Sequence, residues 1–259
     1  MVLSTPQTWV FLRGLTRESG HWGSFVQAFE AGVPDSHVIC IDIPGSGYLH
    51  TQPSPTTINR MMGACHDQLL AAGARAPYSL FGMSMGAMVA LSWSSAFSDE
   101  VQACVLVNSS MKPFSPFYQR LKPANYLRLL QLGLSRATDD QWERAILDMT
   151  SNVKNESILP AWLDLRRQHP ITRANAIRQL WAASRFRAPE PMPSAPTLVL
   201  TSSGDELVSS TCSRAIAQQG TWPVQIHPTA GHDLPLDDAA WVVDQVRDWL
   251  RGSQSLVRS

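Results

Sequence analysis

Five residues constrain this chain more than any other feature. Gly82-Met83-Ser84-Met85-Gly86 follows the apolar run Tyr78-Ser79-Leu80-Phe81 without a break, and a helical pattern rich in Ala, Met and Leu continues at once. A serine flanked by glycines at this spacing means little alone. Between a strand and a helix it has a physical reading. The serine stands at the tip of a sharp turn in a strained backbone conformation, and the residues two before and two after must be small so that strand and helix can approach. The motif commits the chain to a strand–turn–helix unit, and so to a sheet with helices packed on it.

The remaining pattern is consistent with that unit repeated. Short β-rich runs at 9–12 (WVFL), 38–43 (VICIDI), 78–81, 103–107 (ACVLV), 197–201 (TLVLT) and 224–227 (VQIH) alternate with helical patterns. Their largely apolar character suits strands covered on both faces. Helices are expected over 56–72, ended by Gly73, and over 84–97. A last one, with Asp237 and Asp238 at its N-terminus, carries an apolar stripe of Val242, Val243, Val246, Trp249 and Leu250. From Met111 to Glu190 the rhythm breaks into helical segments alone, at 117–134, 139–150, 158–167 and 171–181, before a proline-rich return at 187–193. The expected fold class is α/β: a mostly parallel sheet flanked by helices, its body formed by residues 1–110 and 191–259, with a helical lid inserted at 111–190.

Composition narrows the function classes. With 259 residues, 44% of them hydrophobic and 16% charged, the chain is long and apolar enough for a substantial core, which excludes a disordered chain. Its 21 basic and 21 acidic side chains balance, removing the electrostatic warrant for nucleic acid or an anionic membrane surface. No apolar run approaches the ~18 residues of a membrane span. The opening Met1-Val2-Leu3-Ser4-Thr5-Pro6 lacks the basic-then-apolar pattern of a secretory signal, so a cytoplasmic location is expected. Cys40, Cys65, Cys104 and Cys212 are scattered with no CxxC pair and read as reduced thiols. Charge is unevenly divided: residues 111–190 carry an excess of +6 and the remainder −6. The plain reading is a solvated helix surface; the sharper one is a basic lid favouring an anionic substrate or an acidic partner.

At the serine turn the chain resembles the α/β-hydrolase fold superfamily, serine esterase type, over nearly its whole length. That family orders its triad as nucleophile, acid, histidine. Ser84 matches the nucleophile. The loop Ser202-Ser203-Gly204-Asp205-Glu206-Leu207-Val208 resembles the family's D-x-x-V acid loop, placing Asp205 at the acid. Thr229-Ala230-Gly231-His232 resembles its A-G-H loop and selects His232 from seven histidines. Glu206 is one position off the pattern, and Asp233 adjoins the histidine too closely to reach back to its ring. Phe11-Leu12-Arg13-Gly14-Leu15 occupies the place of the oxyanion loop, with Arg13 where the family commonly has histidine. The implied oxyanion donors are the backbone amides of Leu15 and Met85. Asp42-Ile43-Pro44-Gly45-Ser46-Gly47 resembles the family's D-x-P-G-x-G loop and is read as a structural turn.

The resemblance implies acyl transfer. His232 takes the Ser84 proton during attack, Asp205 fixes its tautomer, and water clears the acyl-enzyme, with no metal or organic cofactor. A small or medium acyl ester is the expected substrate, with thioester and amide cleavage as variants. The lid entrance at Asn108-Ser109-Ser110, with the helices behind it, is similar to pimeloyl-carrier-protein methyl ester esterases, which implies an acidic acyl carrier protein as a candidate partner. A menaquinone-pathway lyase shares the triad and holds carboxylates with arginines; here Arg13 and Arg17 are available, but Gly86-Ala87-Met88 carries no basic residue after the turn. A receptor that has retired the chemistry is the non-enzyme alternative, since fold does not establish function. Arg13, Met83, Trp162 and Trp181 are the candidate substrate contacts, and the assembly is expected to be a monomer or a homodimer.

Overall fold

In the computed structural model, residues 7–134 and 137–257 are described. β1 (Gln7–Leu12) leads through α1 (Phe25–Gly32) to β2 (Ser36–Ile41), and α2 (Ile58–Ala71) crosses back to β3 (Tyr78–Met83). α3 (Met85–Ala96) and β4 (Val101–Val107) follow. The chain then runs through α4 (Phe117–Arg120), α5 (Tyr126–Leu134), α6 (Asp139–Thr150), α7 (Leu159–Gln168) and α8 (Arg173–Arg185). β5 (Thr197–Ser202), α9 (Ser210–Gly220), β6 (Val224–His227), α10 (Leu234–Asp237) and α11 (Ala239–Val257) complete it. The strands form one parallel sheet in the order β2-β1-β3-β4-β5-β6.

The period-2 alternation of strand side chains divides the core between the two faces. Val10, Leu12, Leu80, Cys104 and Leu106 pack on α2, α3 and α9, while Trp9, Phe11, Phe81, Val105 and Leu200 pack on α1 and α11. On the second face Phe11 stacks on Phe81 with ring centroids 4.7 Å apart and meets Phe29 edge-on at 5.0 Å. Each such side chain contributes about 1.5–3 kcal/mol by leaving water. β1 has β2 on one side and β3 on the other, so the winding reverses there. A crevice opens at the carboxyl ends of strands at such a switch point, where ligands of α/β sheets bind.

The expected elements are present with shifted ends. The second strand stops at Ile41 because Asp42 turns its carboxylate onto Ser19 N (2.7 Å) and Tyr48 N (3.1 Å), the structural role expected of its loop. The segment expected as one helix over 117–134 is divided into α4 and α5. Pro123 has no amide to donate, and Lys122 before it is extended (φ −63°, ψ 133°). Asp238, not Asp237, caps α11 by accepting from Trp241 N (2.9 Å). Asp237 instead accepts from Gly231 N (2.6 Å) and Asn152 N (2.9 Å). α1, which buries Phe25 and Phe29, and α9, which buries Cys212, Ile216 and Ala217, are helices beyond those expected.

Between β4 and β5 the regular elements among the described residues are helices. The two ends of this insertion meet: Lys112 and Arg187 form a parallel bridge, with Ala188 N donating to Lys112 O at 2.7 Å. Its separate apolar cluster centres on Leu147, Leu159 and Trp162. Polar contacts attach it to the sheet loops. Asn175 receives Ser54 N (2.9 Å) and donates to Gln52 O (2.9 Å), and Asn152 Nδ2 bridges Gly204 O (2.8 Å) and Thr229 O (2.7 Å). A buried ion pair joins Arg17 to Glu143 (2.6 Å), and His169 Nδ1 lies 2.8 Å from Glu18 Oε2. No helix among the described residues is long and apolar enough to cross a membrane.

Candidate active site

Ser84 sits between β3 and α3 with φ 56° and ψ −116°, a left-handed conformation costing roughly 1–3 kcal/mol for a residue with a side chain. Its surroundings impose it. Ser84 N donates to Val107 O on the neighbouring strand (2.9 Å), and Ser84 O accepts from Ser109 Oγ (2.9 Å) and Ala87 N (3.2 Å). The small residues around it are required by close approach. A Cβ on Gly82 would lie 2.5 Å from Gly86 O, and one on Gly86 would collide with Leu12 O. Gly14 presses on the serine itself, its hypothetical Cβ falling 3.1 Å from Ser84 Cβ. Residues 13–15 therefore cross directly beside the nucleophile position. The amide of Met85 is the first of α3, one of the helix donors without an intrahelical acceptor.

His232 Nδ1 lies 2.8 Å from Asp205 Oδ2, both side chains buried. The other oxygen of Asp205 accepts from Leu207 N (2.8 Å) and Val208 N (2.9 Å), which fixes the carboxylate plane. Glu206 contributes only its carbonyl, held by Asn125 Nδ2 at 2.8 Å. Among the described residues no hydrogen bond joins Ser84 Oγ to His232.

Asn108, left-handed at φ 44°, ties the loops together. Its Oδ1 accepts from Ser202 N (3.1 Å) and its Nδ2 donates to His232 O (2.8 Å). Sequence reasoning had Asn108 only as the lid entrance; the signal for its role is a polar residue following the apolar run ACVLV at 103–107. Lys122 was missed altogether. Its Nζ donates to Asp205 O at 2.5 Å and its backbone N to Leu207 O at 2.9 Å, so the insertion grips the acid loop.

The candidate substrate contacts are scattered. Arg13 is buried, its Nη2 donating to Asp233 Oδ2 (2.6 Å) and its Nη1 to Asp233 Oδ1 (3.1 Å) and Met83 Sδ (3.2 Å). Its guanidinium also lies over Trp22, 4.6 Å from the ring centroid. Met83 is buried beside Ser84. Trp162 is buried 4.1 Å beneath the Arg17 guanidinium, whereas Trp181 is 54% exposed and stacks on Arg185 at 5.0 Å. Arg13 and Arg17 are thus both spent on carboxylates of the protein.

Around Arg17 the seam is electrostatically tuned. Burial lowers the Arg17 pKa, opposed by Glu143. Burial, together with the Arg17 charge, holds His21 well below the usual histidine range. Burial raises Glu18, opposed by the His169 charge. A small recess here has Glu18, His21, Glu143 and Arg166 along with Leu165 and Ile171 in its lining, which includes neither Ser84 nor His232. The described residues contain no group of three His, Cys, Asp or Glu side chains arranged to hold a metal ion.

A family model described as the alpha/beta hydrolase family matches residues 9–245. The chain belongs to the alpha/beta hydrolase family. Among curated relatives of this hydrolase is one named "Putative carbamate hydrolase RutD", from Cronobacter sakazakii (strain ATCC BAA-894). The two are 27% identical over 210 residues, covering 80% of this chain and 76% of the relative. Solved structures of similar fold include one described as a "putative lipase (lip1)" from Acinetobacter baumannii AYE, with TM-score 0.77, 23% identity and coverage of 97% of this hydrolase and 86% of that chain. The enol-lactonase from Burkholderia xenovorans LB400 superposes with TM-score 0.74 at 17% identity, covering 97% and 94%. Sheet order and match extent agree with the expected fold class.

Proposed function

We propose that this hydrolase is a serine esterase, cleaving a carboxylic ester through an acyl-enzyme on Ser84. The observation that carries the reading is the buried His232–Asp205 contact of 2.8 Å on loops following β6 and β5, beside a serine held at φ 56° at the switch point of the sheet. His232 acts as general base towards Ser84 and then as general acid towards the leaving alcohol. Asp205, fixed by two amides, holds the imidazole tautomer. A serine–histidine hydrogen bond that is open without substrate is compatible with this role, because such contacts commonly tighten in the reacting complex. The amides of Leu15 and Met85 receive the oxyanion; one such donor is typically worth ~100–1,000-fold in rate. The pairing of Arg13 with Asp233 and of Arg17 with Glu143 favours the esterase over the lyase reading, which had those two arginines for its substrate carboxylates.

The relative named as a carbamate hydrolase favours one second reading, cleavage of an acyl C–N bond by the same residues. Both are tested by offering p-nitrophenyl esters from acetate to dodecanoate, and simple carbamates with ammonia release as readout, to the wild type and Ser84→Ala. Ester turnover peaking at one chain length and lost in the variant supports the esterase. Ammonia release alone supports the second reading. Equal rates in both proteins would overturn both.

A further inference from the structure

The oxyanion loop and the histidine loop come from opposite ends of the chain, yet their spacing at Ser84 must be held to a fraction of an ångström. One side chain reaches both. Arg13 immediately precedes Gly14, which touches Ser84, and Leu15, the proposed oxyanion donor. Its guanidinium closes on Asp233, the residue after His232, with contacts of 2.6 and 3.1 Å, and rests against the sulfur of Met83, the residue before Ser84, at 3.2 Å. Both partners are 3% exposed or less, and Trp22 covers the guanidinium. Asp233 N also donates to Thr150 O at 2.7 Å, so the aspartate cannot follow the arginine if the loop drifts.

We propose that the Arg13–Asp233 pair is a positioning strut for catalysis: a bidentate brace that sets the distance between the oxyanion donor and the base across the nucleophile. The planar fork suits this use because two parallel hydrogen bonds fix orientation as well as separation, which a single lysine contact does not. Replacing one partner alone would strand the other as a buried charge, so the informative change removes both together.

The proposal rests on the esterase reading, and the test separates the two. The probe is a p-nitrophenyl alkylphosphonate. Ser84 Oγ forms a bond to phosphorus, the phosphorus–nitrophenolate bond breaks, nitrophenolate leaves with the electron pair, and His232 takes the serine proton. The burst of nitrophenolate counts sites, and its rate reads the alignment of nucleophile, base and oxyanion donors. In the double variant Arg13→Met/Asp233→Leu we expect a phosphonylation rate per titrated site lower by about 100-fold, the scale of an ångström of misplacement, with the KM for a p-nitrophenyl ester within about threefold of wild type. Arg13→Lys should recover part of the rate. A wild-type rate per site in the folded double variant overturns the strut and leaves the esterase reading standing. Absence of a burst in the wild type overturns both. Should the double variant not fold, Arg13→Gln/Asp233→Asn, which keeps polar shape and strands no charge, decides: a loss of about tenfold in rate at unchanged KM supports the strut, and an unchanged rate overturns it.

Discussion

On the two faces of the sheet, Phe11, Phe81 and Trp93 are wholly buried, largely against other apolar groups, whereas the seam between the sheet and the helical insertion is filled by Arg17, Glu143, Glu18, His169, Asn175 and Gln179. Apolar burial is non-directional and involves no titrating group. The seam depends on geometry and on protonation, because an unpaired buried charge or amide costs far more than a lost contact. Ser84 lies where these two regions meet: its strain is sustained by strands, and the loops that complete the site are held partly from the insertion. Gln179 illustrates this. Its Oε1 accepts from the amide of Thr16, a left-handed residue at φ 61° just past the proposed oxyanion donor, at 2.8 Å.

The comparison yields graded tests. The largest effect belongs to the sheet side: Ser84→Ala should lower ester turnover by at least about 10⁴-fold while leaving the thermal midpoint within a few degrees of wild type. Retained turnover would place the chemistry elsewhere. Next, Glu143→Ala and Leu106→Ala should each cost about 2–5 kcal/mol but in different places. By hydrogen exchange the first should deprotect α6 and α7 with the sheet amides unchanged, and the second should lower protection throughout. If Glu143→Ala deprotects both alike, seam and sheet are one cooperative unit and the contrast fails. Smaller still is the pH response. His21 has a depressed pKa when folded, so the unfolded chain binds more protons as acid is added. The stability His21 contributes is present above about pH 6.5 and is lost as pH falls towards its folded value. Melting curves between pH 7 and 5 should fall less steeply in His21→Gln than in wild type. An unchanged slope would assign the acid sensitivity to other groups. Last, all four cysteines lie in the sheet region. Burial pushes the Cys40 thiol up to about 12 and raises the other three, so Ellman's reagent at pH 8 should find native protein nearly silent. Loosening the seam with Glu143→Ala should leave it so.

The same contrast explains what the sequence made legible. Strands and the sheet's helices were readable because apolar periodicity records which face is buried: the VICIDI and TLVLT runs announce their strands. Of the residues proposed for the reaction, Ser84 stands out through the close backbone approach that Gly82 and Gly86 permit, whereas Asp205 and His232 are singled out only by the resemblance of their loops to those of a known family. The seam was not readable. Nothing in the spacing of Arg17 and Glu143, 126 positions apart, reveals that they pair. Arg13 looked like a cation free for substrate because its partner Asp233 stands 220 residues away, and Asp233 itself looked only like a rejected acid. Trp162 and Trp181 were indistinguishable by type, yet one is buried under an arginine and the other faces solvent. Long-range polar partnership leaves no periodic trace.

The meeting of Lys112 with Arg187 has one more consequence. Because the insertion leaves the sheet at nearly the point where it enters, its length is almost free of cost to β4 and β5: closing a loop twice as long adds only about 0.6 kcal/mol. Helices can be gained, lost or exchanged there over evolutionary time without disturbing the register of the strands that strain Ser84. The sheet and the helical insertion are thus joined through a single pair of adjoining backbone segments.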